Sequence, residues 1–141
     1  YWYEFQAPET DDRDPESLFG LVHRDFSPKP AYLAYKTLAA QRPAGSTVLN
    51  RPWKSENGTL YHPQWQRPDG RPAGAIWSFG TSRELALTFS SKAITFTTHT
   101  GGALAPRWRD NTTTCVLPVS EAPIYFTGGT LERITPADAQ Q

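Results

Sequence analysis

The sequence predicts a mostly β chain: a small antiparallel β-sandwich preceded by a strand–loop–helix unit. Three observations carry this reading. From Ser46 onward, eight short runs at strand period are separated by turn signals. Only one stretch, opening at Ser27-Pro28, reads as a helix. The 141 residues include 13 Pro and 10 Gly, so turns are frequent and long helices few.

The elements follow in chain order. Tyr1 to Phe5 reads as a strand, with Tyr1, Tyr3 and Phe5 on one face and Trp2 and Glu4 on the other. Gln6 to Ser17 is polar, acidic and broken by Pro8 and Pro15, which makes it a loop. Leu18 to Val22 is a short apolar patch around Gly20. Ser27 is placed to cap the helix, and Pro28 suits its first position because the missing N–H would be unpaired there. Tyr32, Tyr35, Leu38 and Ala39 recur at helical spacing and are expected to form a buried stripe. Arg42-Pro43 ends the helix, and Ala44-Gly45-Ser46 is a linker. The expected strands are Thr47–Leu49, Thr59–Trp65, Ala73–Phe79, Glu84–Phe89, Ala93–Thr98, Thr113–Leu117, Ile124–Phe126 and Leu131–Ile134. The change of period sets a boundary near residue 43. Residues 1–43 form the first unit, residues 44–135 the sandwich and residues 136–141 a tail.

A hydrophobic content of 38% suffices for one sizeable core. Formal net charge is zero, but residues 1–25 hold seven acids against Arg13 and Arg24, a balance of −5, which leaves +5 for the rest. Such a split reads as two solvated surfaces of opposite sign, or as a means of steering charged ligands. Cys115 is the sole cysteine, so no internal disulfide forms. That leaves secretion open, and a secreted or periplasmic location is expected, with a cytoplasmic one as the alternative. No apolar run approaches 18 residues, so no transmembrane helix and no membrane partner are expected. The opening residues lack the basic head of a signal peptide, so any targeting segment is expected upstream.

Few constellations carry chemistry. His23, His62 and His99 are scattered, and Asp11-Asp12-Arg13-Asp14 lacks the spacing of a calcium loop, so neither metal nor cofactor is expected. Cys115 sits in a strand-like run and reads as a core residue rather than a nucleophile. Asn57-Gly58-Thr59 and Asn111-Thr112-Thr113 are glycosylation sequons, or otherwise turns. Arginines interleave with Trp53, Trp65 and Trp108, which are candidates for stacking on sugars. The same residues also suit core packing, contact with a neighbouring domain or, as the weakest reading, single-stranded nucleic acid.

Tyr1-Trp2-Tyr3-Glu4-Phe5, the acidic Asp14-Pro15-Glu16 loop, Phe19-Gly20-Leu21-Val22 and Asp25-Phe26-Ser27-Pro28-Lys29-Pro30-Ala31-Tyr32 together resemble the end of clan A glycoside hydrolases. The similarity is greatest to the family 39 and family 5 members. Ala75-Ile76-Trp77-Ser78 and Val119-Ser120-Glu121-Ala122-Pro123-Ile124-Tyr125-Phe126 resemble, more loosely, the C-terminal sandwich that many members carry. The resemblance implies that residues 1–43 are the last strand and helix of a (β/α)8 barrel. It implies that Trp2 lies under the sugar at the cleavage subsite and that Glu4, on the same face, hydrogen-bonds a hydroxyl or a catalytic neighbour. Barrel packing for Trp2 and a surface role for Glu4 remain the alternatives.

A retaining glycosidase needs two carboxyl groups about 5–5.5 Å apart. In this clan they stand on strands four and seven, so no catalytic residue is expected in this chain. The implied partners are a carbohydrate substrate and the remainder of the barrel, since one strand and one helix cannot close it. The implied function is that of a C-terminal segment of a retaining hydrolase acting on a β-linked glycoside or polysaccharide. A non-catalytic carbohydrate-binding or structural accessory sandwich is the alternative.

Overall fold

The computed structural model describes residues 4–49, 51, 53–55 and 57–138. Tyr1, Trp2 and Tyr3 lie outside the described residues, and with them most of the first expected strand. Within its described part, Glu4 and Phe5 are not in a strand. Their carbonyls instead accept hydrogen bonds from the N–H groups of Leu21 (3.1 Å) and Val22 (3.0 Å), and Gln6 forms a parallel bridge with Val22. Gly20 allows this close approach, because a Cβ there would collide with the Ala7 backbone. Ala7, Leu21 and Val22 are buried, while Phe5, Leu18, Phe19 and Phe26 are exposed. A short 3-10 turn, Pro15–Leu18, is capped by the Asp14 carboxylate, which accepts from the Glu16 N–H.

Helix α1 spans Pro30–Gln41 and begins two residues later than Pro28. Ser27 does not cap it: its N–H and Oγ both donate to Asp25 Oδ1, at 2.9 and 2.6 Å. Residues 28 and 29 stay extended because Pro28 bridges Val22 and the Lys29 N–H donates to the Leu21 carbonyl. The stripe expected to be buried is not. Tyr35 and Leu38 are 47% and 45% exposed, Ala39 is exposed and Tyr32 is half-buried. The helix turns Thr37, its only buried residue, toward the rest of the protein.

Among the described residues eleven strands follow, all paired antiparallel. They are β1 (Thr47–Val48), β2 (Leu60–Tyr61), β3 (Gln64–Gln66), β4 (Pro72–Ser78), β5 (Arg83–Phe89), β6 (Thr95–Thr98), β7 (Ala103–Leu104), β8 (Arg107–Trp108), β9 (Thr114–Val119), β10 (Ile124–Thr127) and β11 (Leu131–Pro136). The expected strand Thr59–Trp65 is split in two by Pro63, which has no N–H to give to the ladder. Its register is unbroken: Tyr61 faces Trp77 and Gln64 faces Gly74, both on β4. The short strands β7 and β8 fall where no strand was expected.

One sheet has the order β1-β3-β4-β10-β6-β7, with β2 also on β4, and the other β11-β5-β9-β8. Their facing sides enclose a core of Ile76, Leu85, Leu87, Phe89, Phe96, Cys115, Leu117, Val119, Ile124 and Phe126. Phe89 meets Phe126 and Phe96 edge to face, with centroids 5.1 and 5.5 Å apart, the preferred arrangement for aromatic quadrupoles. This is the expected sandwich after a short helix. Among the described residues no helix is long and apolar enough to cross a membrane.

Alternation along β4 and β10 puts a second apolar set on the outer side of the larger sheet: Trp65, Ala73, Ala75 and Tyr125, with Trp77 against them. Helix α1 lies over one end of this outer side. The Gln41 carbonyl accepts from Trp65 Nε1 at 3.1 Å, and the Gln41 side chain meets Thr97 and Thr127. Arg67 Nη1 donates to the carbonyls of Ala40 (2.9 Å) and Gln41 (2.8 Å). These carbonyls lack partners within the helix, and a cation there also suits the helix dipole.

Candidate functional site

Where α1 stops, the outer side of the larger sheet opens into a groove of about 630 Å³. That volume is within the ~300–1,000 Å³ range of small-molecule sites. β3 supplies Trp65, which is 3% exposed and held by its indole bond to Gln41. β4 supplies Ala75 and Trp77, β10 supplies Tyr125, and β2 supplies Tyr61. Tyr61 and Trp77 are register partners and stack with centroids 5.1 Å apart and planes 5° from parallel. The loop before β2 brings Trp53, 43% exposed, to the groove.

Two cations belong to the groove. The Arg42 guanidinium lies 5.8 Å from the centre of the Trp65 ring, and that of Arg51 lies 5.0 Å from the centre of the Trp53 ring. Both distances are within cation–π range. No Asp or Glu is among the described residues that line it. Burial raises the Tyr125 phenol above its ordinary pKa, so it remains a neutral hydroxyl at physiological pH.

The structure brings together two of the three tryptophans singled out for sugar stacking. Trp53 and Trp65 share the groove, but Trp108 does not. It pairs with Cys115 across β8 and β9, turns into the sandwich and packs on Phe96 at 6.4 Å. Tyr61, Trp77, Tyr125 and Arg42 were not anticipated at this site. The available signal was alternation, since Ala73, Ala75 and Trp77 stand at every second position of β4.

Elsewhere the chemistry is structural. Glu4 is half-buried, and Trp2 lies outside the described residues. Cys115 is fully buried, and that burial pushes its thiol up to about 11, which removes it as a nucleophile. Glu9 Oε1 lies 2.7 Å from His23 Nδ1 and 3.6 Å from Lys29 Nζ, and Glu9 Oε2 accepts from the Arg24 N–H at 3.1 Å. Among the described residues no group of three or more His, Cys, Asp or Glu is arranged to hold a metal ion. Both sequons lie in turns. Asn57 Oδ1 is engaged by Ser55 and Thr59, and Asn111 has a left-handed φ of 54°.

No family model matches the chain, and no curated protein matches it. Among solved structures the fold is similar to that of a family 39 glycoside hydrolase from the gut symbiont Bacteroides cellulosilyticus WH2. The TM-score is 0.74 at 21% identity, over 90% of this chain and 25% of that one. The chain thus spans about a quarter of that hydrolase.

Proposed function

We propose that this chain is the C-terminal segment of a retaining glycoside hydrolase that acts on a β-linked glycoside or polysaccharide. Residues 1–43 supply the last strand and helix of the barrel, and residues 44–135 buttress it. The observation that carries the proposal is the number of exposed apolar side chains on the first unit. Phe5, Phe19, Phe26, Leu33, Tyr35 and Leu38 are each at least 39% exposed. So many large apolar side chains over one short stretch mark a surface built to be covered by protein. The fold similarity runs through this unit and the sandwich alike, which supports a barrel as the cover.

In this arrangement Trp2 is the platform under the sugar and Glu4 orients a hydroxyl or a neighbour. The two carboxylates that cut the bond stand on earlier strands, close enough for one to attack while the other protonates the leaving group. The loop at residues 7–17 borders the cleft. Its acidic face is fixed by turns in which Asp11 accepts from the Arg13 N–H and Asp14 from the Glu16 N–H.

The test compares the chain alone with a longer polypeptide that carries the other seven strand–helix units. The longer form should hydrolyse aryl β-glycosides with retention at the anomeric carbon, read by NMR of the first product. The chain alone should show no turnover. Turnover by the chain alone that is abolished by Glu4→Gln would overturn the proposal, as would a natural polypeptide with no barrel ahead of Tyr1.

A further inference from the structure

We infer that the groove on the outer side of the larger sheet binds an oligosaccharide that carries carboxylates, that is, one containing uronic acid residues. A pyranose has a flat C–H face that stacks on indole and phenol rings, and an edge of hydroxyls that seeks hydrogen bonds. The groove has the matching parts. Trp53, Trp77 and Tyr61 give aromatic surface near one another, and Trp65 and Tyr125 form the apolar floor. Trp65 is locked by its bond to Gln41, and Trp77 by its stacking on Tyr61, so little side-chain freedom remains to be lost on binding.

The charge of the occupant follows from Arg42 and Arg51. Each guanidinium is a planar fork of N–H donors placed beside an indole, 5.8 Å from the Trp65 ring centre for Arg42 and 5.0 Å from that of Trp53 for Arg51. It can therefore hold a carboxylate through two parallel hydrogen bonds while it stays on the ring. In a uronic acid the carboxylate leaves the sugar at its edge. A sugar face on the aromatic surface thus leaves its charge at the edge, free to meet the arginines that line the same groove. No described lining residue carries a carboxylate that would compete for the two arginines or repel an anion. The +5 balance of residues 26–141 adds long-range attraction of the same sign.

The experiment uses the chain itself, titrated by calorimetry and by Trp fluorescence. The probes are trigalacturonate, neutral galactotriose and a sulfated galactotriose. Trigalacturonate should bind best, and more weakly as salt rises. Arg51→Gln alters an exposed side chain and leaves the fold intact; it should weaken trigalacturonate about tenfold, as expected for a hydrogen bond to a charged group, and leave galactotriose unaffected. Trp53→Ala should weaken both galacturonate and galactose binding, with the circular dichroism spectrum unchanged. No binding of trigalacturonate at millimolar concentration overturns the inference. So does equal binding of the neutral trimer, or tighter binding of the sulfated one. A dimer in sedimentation that dissociates in Trp53→Ala while no sugar binds assigns the groove to a second copy, and also overturns it. Of the exposed apolar residues behind the barrel assignment only Leu38 also lines the groove; Phe5, Phe19, Phe26, Leu33 and Tyr35 do not, so these results leave that assignment to its own test.

Discussion

Replacing Gln64 by Leu should destabilise the sandwich by about 2–3 kcal/mol, even though Leu is of similar size and the site is buried. Gln64 is on β3 and reaches across the interior to β11 in the opposite sheet. There its Nε2 donates to the Leu131 carbonyl at 3.0 Å, and its Oε1 accepts from the Leu131 N–H at 2.8 Å. The ladder between β11 and β5 is irregular between Leu131 and Arg133. The Gln64 side chain therefore stands in for a neighbouring strand and ties the two sheets together. Gln64→Leu leaves a buried donor and a buried acceptor without that partner, at about 1–3 kcal/mol each. Burial of the added apolar surface offsets roughly 1–2 kcal/mol of this. For a domain of this size the remainder lowers the melting temperature by roughly 6–12 °C. Thermal and urea unfolding, followed by Trp fluorescence, measure both quantities. Gln66→Leu is the control: its Nε2 donates to the Gly70 carbonyl at the exposed β3–β4 turn, and it should change stability by less than about 1 kcal/mol. If Gln64→Leu melts within 2 °C of the parent (about 0.5 kcal/mol on the same scale), the cross-sheet bond contributes nothing and the reasoning fails.

Three further outcomes are expected. Gly74→Ala should cost about 1–3 kcal/mol in urea unfolding, because its Cβ would press on the Phe126 ring and come within 2.8 Å of the Pro63 carbonyl oxygen. Cys115 should resist a disulfide reagent at pH 7 in the native protein and react at once in urea, since burial withholds both access and the thiolate; fast native reaction would contradict its place in the core. The Glu9 carboxyl is held below its ordinary value by the Arg24 N–H first and by His23 second, so the order it gives the segment around residues 9–29 is complete above about pH 4.5 and is lost as the pH falls below that. The protection factor of the Arg24 amide, its exchange relative to the unfolded chain at the same pH, should fall over that range, and Glu9→Gln should remove that change.

Much of the fold was legible because it is written locally. Gly70 and Gly128 take left-handed φ values of 82° and 111° between strands, which the sequence marks with Pro68-Asp69-Gly70 and Gly128-Gly129. Pro28, by contrast, looked like a helix start, and the Val22 bridge kept it extended. Turn chemistry is a property of two or three neighbours, whereas a bridge to a residue six positions earlier is not.

The sequence by itself determined that a short helix precedes a sandwich, roughly where most strands lie, and that Cys115 is core. Those features depend on alternation, turn residues and side-chain size, all of which are local. Tertiary structure alone decided which rings converge. On β4 neither face carries a charge, with Ala73, Ala75 and Trp77 on one and Gly74, Ile76 and Ser78 on the other, so alternation could not say which side is core. Pairing with β2 then set Tyr61 against Trp77, pairing with β10 brought Tyr125 beside Ala75, and α1 carried Arg42 to Trp65. Trp108 went inward by the same logic, because its partner across the ladder is Cys115. A groove assembled from five strands, a helix end and the loops between them has no signature in any one of them, since its parts meet only when the sheet closes.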